Sequence, residues 1–327
     1  MTAAEREGRF RGVGGLPVME IVLIVLAAIL AARAPGFLTR DNLLNVLRSV
    51  SMQGIVAFGM TMVIIAGEID LSVGSAVAFA GCLCAWLTGY LNATAHVPMS
   101  AALPIAVVTS VAAGAAVGAV TGFLRVRYRV PTFIATLAWL TILKGGAELI
   151  TNGFPLTPFP DWFNVLGGGY LLGVPVPALV FAAVFVAMHV VMTRTVFGRA
   201  IYAVGGNLEA ARLSGVRVDW VRIRVLALVG ALAAFSGIMQ ASQIMSGSAT
   251  TGQGSELDVI SAVIIGGTSL LGGAGTIRGT LVGIIFLGVL VNGMTLMNTS
   301  EYWQHVVRGA LILTAVLINL APSKGRG

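Results

Sequence analysis

Long apolar runs, separated by short polar or glycine-rich interruptions, dominate the chain from residue 17 to residue 321. About 20 apolar residues suffice for a helix to cross a bilayer, and continuous runs such as Ile21 to Ala32 exclude the alternation of a membrane barrel. The pattern therefore predicts an all-α, polytopic membrane protein with about ten transmembrane helices. The predicted helices lie near residues 17–34, 49–67, 72–92, 99–123, 131–150, 174–193, 221–243, 257–272, 279–297 and 303–320.

Composition and charge support this class and orient the helices. Of the 327 residues, 57% are hydrophobic and 10% are charged, so little chain remains for a soluble domain. The formal charge of +7 comes from basic residues at the ends of apolar segments, an arrangement that sets membrane orientation rather than nucleic-acid binding. We expect one transmembrane domain at 17–321 between cytosolic tails at 1–16 and 322–327. Two cysteines, Cys82 and Cys84, fall inside an apolar run and are interpreted as packing residues, not metal ligands.

The region just before the second predicted helix allows two interpretations. The segment from Thr39 to Val50 mixes leucines with polar residues, and Asp41 could cap a helix there. It is either a short helix lying on the outer surface or the start of the second span.

Two polar interruptions divide apolar runs at corresponding places in the two halves of the chain. The first, from Ala66 to Ser75, contains two carboxylates and two hydroxyls, and the second, from Gly266 to Gly279, contains six glycines among other polar groups. Polar backbone of this kind is expected where a helix breaks or lines a cavity, although a solvated turn at the inner face is the plainer alternative. The two interruptions suggest broken helices and an inverted repeat.

The longest charged stretch between apolar runs covers residues 194–224. Within it, Asn207 can cap a helix, Glu209 falls in the first turn and Gly215 can end it. An isolated helix of about two turns is marginal in water, so it must pack on the loop's own Val204 and Val216 or on a partner.

The chain carries no signal for catalysis of its own. Neither of its two lysines stands in a phosphate-binding loop, and no nucleophile, base or metal-ligand cluster is apparent. We expect no catalytic residue, no metal and no cofactor bound by this chain.

Four segments together resemble one family. Glu209-Ala-Ala-x-x-x-Gly215 is similar to the EAA loop with which ABC-importer permeases dock on their ATPase. With the segments at 67–75, 198–207 and 258–273, the chain resembles the ribose-type monosaccharide permeases, the inner-membrane components of binding-protein-dependent transport systems. The likeness runs from about residue 40 to 320, and Glu68 departs from it, because many members have glycine there.

This resemblance implies a permease subunit of the bacterial inner membrane that carries a ribose-like pentose, a hexose or a polyol. The implied partners are a second permease subunit in a homodimer, an ATPase with two fused nucleotide-binding domains that uses ATP and Mg²⁺, a periplasmic or lipid-anchored sugar-binding protein, and membrane lipid, but no nucleic acid. The implied ATPase-docking residues are Asn207, Leu208, Glu209, Ala210, Ala211, Arg212, Leu213 and Gly215.

A sugar is neutral and rich in hydroxyls, so a conduit for it needs a few weak polar contacts. The candidate residues for the pathway or a hinge are Glu68, Asp70, Ser72, Ser75, Thr268, Ser269 and Asn292.

Two other functions stay open at this stage. An ion-coupled secondary transporter or channel would use Glu68 and Asp70 as ion sites. Within the ABC class, the chain could instead serve nucleosides or branched-chain amino acids.

Overall fold

The computed structural model describes residues 18–320, with side chains to residue 317, so both predicted tails lie outside the described residues. Within that range the fold is almost entirely helical. The elements, in chain order, are α1 (Val18–Arg33), α2 (Arg40–Ile65), α3 (Val73–Ala93), α4 (Met99–Tyr128), α5 (Thr132–Thr151), a 3-10 turn (Asp161–Phe163), α6 (Asn164–Gly168), β1 (Tyr170–Leu171), β2 (Val174–Pro175), α7 (Val176–Arg194), α8 (Val196–Gly206), α9 (Leu208–Leu213), α10 (Val218–Ile244), α11 (Ser255–Ile265), α12 (Ile277–Leu296) and α13 (Glu301–Leu320).

The predicted all-α membrane class is confirmed, whereas the predicted count of ten spans is not. Among the described residues, 7 helices are long and apolar enough to cross a membrane, namely α2, α3, α4, α5, α7, α10 and α12. The prediction of a full span at 257–272 is wrong, because α11 has only 11 residues and covers about 16 Å. It ends at Gly266-Gly267, where Gly267 adopts a φ of +88°.

The second helix begins earlier than predicted. Helix α2 runs without a break for 26 residues from Arg40, so the separate surface helix is wrong and the alternative, the start of the span, is correct. Near its beginning, Asn42 exchanges hydrogen bonds of 3.0 and 2.7 Å with Asn292 on α12, and this tertiary contact extends the helix beyond its apolar part. Asp41 lies inside the first turn of the helix, after the cap position at Thr39.

Helices α2 and α10 form the centre of the bundle and run antiparallel to each other. Gly59 on α2 packs against Val229 on α10, and the Ser236 hydroxyl on α10 donates to the Met52 carbonyl at 2.7 Å. Helix α4 packs on α10, while α12 packs on α2. Each half of the bundle thus supports the central helix of the other half.

Glycines spaced four residues apart bring helices together within this chain. On α4, the stripe of glycines meets the backbone of α10 so closely that a Cβ at any of the three positions would overlap it; its members are Gly114, Gly118 and Gly122. Gly283 on α12 likewise lies against the Ala262 carbonyl of α11. Small residues bring these backbones together where lipid offers no hydrophobic drive for association.

The segment 152–173 folds onto the end of α10 remote from α8 and α9. The Ser242 hydroxyl donates to the Phe163 carbonyl at 2.5 Å and accepts from the Gly167 amide at 2.9 Å. The hairpin of β1 and β2 follows, with Leu172 at its turn almost fully exposed.

Candidate functional site

The predicted docking segment forms a short helix, α9, with one buried and one exposed side. The Asn207 side chain accepts from the Ala210 amide at 3.0 Å, as its capping role predicts, and Gly215 adopts a φ of +78° just after the helix. Ala211 is buried in a cluster that includes Val204, whereas Leu213 is 91% exposed. Helix α9 therefore rests on its own chain and keeps an apolar residue on the opposite side.

Behind α9, the end of α8 touches both predicted interruptions. Gly205 packs against the Ile65 carbonyl and the Gly273 amide with no room for a Cβ, while the Gly273 amide itself donates to the Ile65 carbonyl at 2.8 Å. The Tyr202 hydroxyl donates to the Gly275 carbonyl at 2.8 Å. We name this set the glycine junction; it comprises residues 65–67, 205–206 and 272–275. It connects the support of α9 to the ends of two membrane helices.

Next to the glycine junction lies a buried ion cluster centred on Glu68. This carboxylate accepts from Arg125 Nε at 3.0 Å, contacts Arg222 Nε at 2.8 Å and accepts from the Thr132 hydroxyl. Its side chain is only 4% exposed, so the alternative of a solvated inner-face turn is wrong for this residue. One carboxylate thus joins the ends of α4, α5 and α10, and buried charges of this kind require such partners.

The segment after Glu68 turns back into the bundle as non-helical backbone. Helix α3 starts at Val73, and Val77 contacts Gly237, which lies about 22 Å along α10 from Arg222 at 1.5 Å per residue. Asp70 Oδ1 accepts from both the Ser72 amide at 2.8 Å and the Ser72 hydroxyl at 2.6 Å. These local bonds satisfy polar groups that would otherwise be unpaired in an apolar interior.

A second interrupted region approaches the same depth from the opposite end of the bundle. After α10, residues 245–254 lead back to the start of α11, where Gly74 packs against the Gly252 carbonyl and the Glu256 carboxylate. The beginnings of α3 and α11 therefore meet inside the bundle. The backbone is non-helical at both predicted interruptions, between Ile65 and Val73 and between Ile265 and Ile277, but the segment that meets the first interruption is 245–254.

Two adjoining cavities lie at this meeting point. The first cavity has a volume of about 200 Å³ and is lined by Gln53, Val56, Val77, Gln240, Gly252, Gln253, Ser255, Asp258 and Val259. The second cavity has a volume of about 230 Å³ and is lined by Ser75, Ala78, Leu140, Lys144, Ala249, Gln253, Gly254 and Glu256. Gln253 lies between the two and lines both.

The predicted pathway residues are distributed over several places. Ser75 lines the second cavity, Glu68 belongs to the ion cluster and Asp70 bonds to Ser72. Thr268 and Ser269 lie in the loop that ends at the glycine junction, and Asn292 pairs with Asn42.

Sequence reasoning missed most of the polar residues that line the cavities. These include the three glutamines and both acidic residues of α11, which are Gln53, Gln240, Gln253, Glu256 and Asp258. The signal that could have found them is the presence of single amides inside apolar helices, because polar side chains at such positions are costly unless they serve a function.

Comparison with known proteins identifies the relatives of the chain. Residues 42–316 match the family model described as branched-chain amino acid transport system / permease component. The ribose import permease of Escherichia coli strain K12 is 44% identical over 303 residues, covering 91% of this chain and 92% of that protein. The ribose import permease of Bacillus subtilis strain 168 is 40% identical, covering 91% and 90%. The L-arabinose ABC transporter permease of Azospirillum brasilense is 40% identical, covering 91% and 86%. No solved structure matches the chain.

Proposed function

The chain belongs to the family of ABC-importer permeases that includes the ribose import permeases, and we propose that it forms the membrane conduit of an ATP-driven monosaccharide importer. It is a transport subunit of the inner membrane, as its relatives are. Its cargo is a ribose-like pentose, a hexose or a related polyol. Relatives described as ribose and arabinose permeases support this choice over a branched-chain amino acid.

ATP hydrolysis belongs to a separate ATPase with two fused nucleotide-binding domains, which holds the ATP and Mg²⁺. The surface that receives this ATPase is α9. The observation that carries this assignment is the exposed Leu213 beside the charged Glu209 and Arg212, on a helix whose other side rests on the chain's own core. An exposed apolar residue rimmed by charges is typical of a protein contact.

Movement of α9 reaches the membrane helices through α8. Because Gly205 is in backbone contact with Ile65 and Gly273, a displacement of α8 shifts the ends of α2 and of the loop before α12 together. Asp70, Ser72, Thr268 and Ser269 act as hinge residues at these ends, and Glu68 holds the neighbouring helix ends in register. The change in tilt exposes the conduit alternately to the two sides.

The remaining parts of the assembly follow from the family and from the bundle. A second, identical subunit completes the conduit, and a periplasmic or lipid-anchored binding protein delivers the sugar. Both termini face the cytosol, on the side where basic residues concentrate. Helices α2 and α10 run antiparallel, and each is packed by a helix of the other half, α12 on α2 and α4 on α10. This arrangement supports an inverted repeat.

The docking assignment is tested by charging the exposed leucine of α9. We expect Leu213→Glu, co-expressed with the ATPase encoded beside this chain, to lose at least tenfold in ATPase co-purification, because a buried unpaired carboxylate costs about 2 kcal/mol or more. Leu172→Glu is the matched control, since Leu172 is 97% exposed but lies on the hairpin far from α9. Equal ATPase recovery for both variants would contradict the docking surface.

The transport class is tested in liposomes that contain the chain, its ATPase and its binding protein. Uptake of radiolabelled ribose or arabinose should require internal ATP and the binding protein. Sugar uptake driven by an ion gradient in liposomes with the chain alone would establish a secondary transporter instead. Uptake of leucine in place of any sugar would favour the amino-acid alternative.

A further inference from the structure

The polar residues at the centre of the bundle are mostly neutral amides with unused hydrogen-bonding groups. Gln240 donates to the Ser236 hydroxyl at 3.2 Å, which leaves its carbonyl oxygen to accept another bond. The Gln253 side chain makes a single long bond of 3.5 Å to the Ala249 carbonyl, and the Gln53 side chain makes no hydrogen bond within the described residues. A side-chain amide both donates and accepts, as does a sugar hydroxyl.

The charged groups around the two cavities are balanced. In the first cavity, Asp258 Oδ2 accepts from Arg308 Nη1 at 2.9 Å, and within the described part of the chain the other carboxylate oxygen makes no side-chain hydrogen bond. In the second cavity, Lys144 and Glu256 supply one charge of each sign. The lining therefore carries acceptors and donors without net charge, which suits a neutral solute.

The dimensions favour one site rather than two. Ligand sites typically have volumes of roughly 300–1,000 Å³, and each cavity alone, at about 200 and 230 Å³, is smaller. Gln253 is exposed and lines both cavities, which therefore adjoin at its side chain. The site lies where α3 and α11 begin, at the depth at which both chain halves are interrupted.

We propose that the two cavities form one low-affinity binding site for a neutral polyhydroxylated sugar, contacted by Gln53, Gln240, Gln253 and the free oxygen of Asp258. This assignment rests on the proposed import function and adds the position of the sugar within the membrane. Bonds to neutral amides are weak enough for release, which conduction requires.

The test uses cysteine protection in the complete transporter, reconstituted in nanodiscs with its ATPase. Gln253→Cys is placed in the cavity wall, and Leu257→Cys, a matched exposed position on α11 that lines neither cavity, serves as the control. The native Cys82 and Cys84 are buried. We expect ribose at high millimolar concentration to slow methanethiosulfonate labelling at position 253 several-fold, with no effect at position 257. Unchanged labelling at 253, or equal protection at both positions, would overturn the site.

A transport measurement keeps this test separate from the proposed function. Gln240→Leu removes one amide, and loss of one hydrogen bond of about 1 kcal/mol predicts a decrease of about fivefold in ATP-dependent ribose uptake, with ATPase co-purification unchanged. Gln304→Leu, an amide outside both cavities, should leave uptake unchanged. If the wild type takes up ribose and Gln240→Leu takes it up equally well, the proposed binding site is rejected but the import function is not. No uptake of any sugar by the wild type rejects the function itself.

Discussion

The ion cluster around Glu68 and the two cavities are both polar regions inside an apolar bundle, yet they are built in opposite ways. In the ion cluster, one carboxylate that is 4% exposed contacts two guanidinium groups and a hydroxyl. In the cavities, neutral amides keep donors or acceptors unused. The difference separates two tasks, because fully paired charges resist displacement, whereas unpaired amides can exchange partners with a passing solute.

The pair of Asp258 and Arg308 lies between these extremes and shows how the two designs can be combined. Its side chains are 15% and 24% exposed, and one carboxylate oxygen is engaged at 2.9 Å. The ion pair neutralises the Asp258 carboxylate through Oδ2 and, in the part of the chain that the structure describes, leaves Oδ1 unengaged, on a residue that lines the first cavity. In this way Asp258, a charged residue, can line a cavity suited to a neutral solute.

Removing the central charge of the ion cluster should have the largest effect. In Glu68→Gln, two partly buried guanidinium groups lose their counter-charge, and breaking a fully buried pair costs about 3–5 kcal/mol, which sets the upper end of the expected loss. We expect a marked decrease in the thermal midpoint of the detergent-solubilised protein, measured by fluorescence-detected size exclusion.

The matched control for that variant is Asp219→Asn, which removes an exposed carboxylate 3.9 Å from Arg212. Exposed pairs contribute about 0–1 kcal/mol, so the midpoint should barely change. If both variants lower the midpoint equally, the distinction between a rigid ionic region and an exchangeable amide region fails.

A change in the glycine junction should have the next largest effect, on transport rather than on stability alone. In Gly205→Ala the new Cβ overlaps the Ile65 carbonyl, and relieving such overpacking typically costs about 1–3 kcal/mol. We expect ATP-dependent sugar uptake to fall about tenfold or more, while the ATPase still co-purifies.

Gly206→Ala is the control for this prediction, because a Cβ there meets nothing within 4 Å. It should transport normally. Normal uptake by Gly205→Ala would mean that α8 does not transmit movement to α2 and the loop before α12.

The smallest effect is expected for a neutral hydrogen bond between membrane helices. Thr61 on α2 and Thr280 on α12 share a hydrogen bond of 2.6 Å between their hydroxyls. Such bonds contribute about 0.6 kcal/mol in membranes, so Thr280→Val should lower the thermal midpoint far less than Glu68→Gln. A double-mutant cycle with Thr61→Val measures the coupling free energy between the two hydroxyls. A coupling as large as the effect of Glu68→Gln would contradict the expectation that charged contacts contribute more than neutral ones.

Much of the architecture was predictable from local pattern. Apolar runs located the helices to within a few residues, except where a tertiary contact changed a boundary. The pairing of Asn42 with Asn292 extended α2 nine residues before its predicted start, and Gly266-Gly267 shortened α11. The cap of α9 was predictable because Asn207 and the amide it accepts from are neighbours in sequence.

The sequence by itself determined which segments leave water and that a capped helix stands in the loop at 194–224. Those properties depend on residues close together along the chain. Only the tertiary structure decided that Glu68 meets Arg125 and Arg222, and that Gln53 shares a cavity with Gln240 and Gln253. Glu68 and Gln53 are distant in sequence from these partners, and helix packing alone fixes which side chains share a depth and a face. The sequence places Glu68 among the candidate pathway residues, whereas in the folded bundle its carboxylate lies between Arg125 and Arg222.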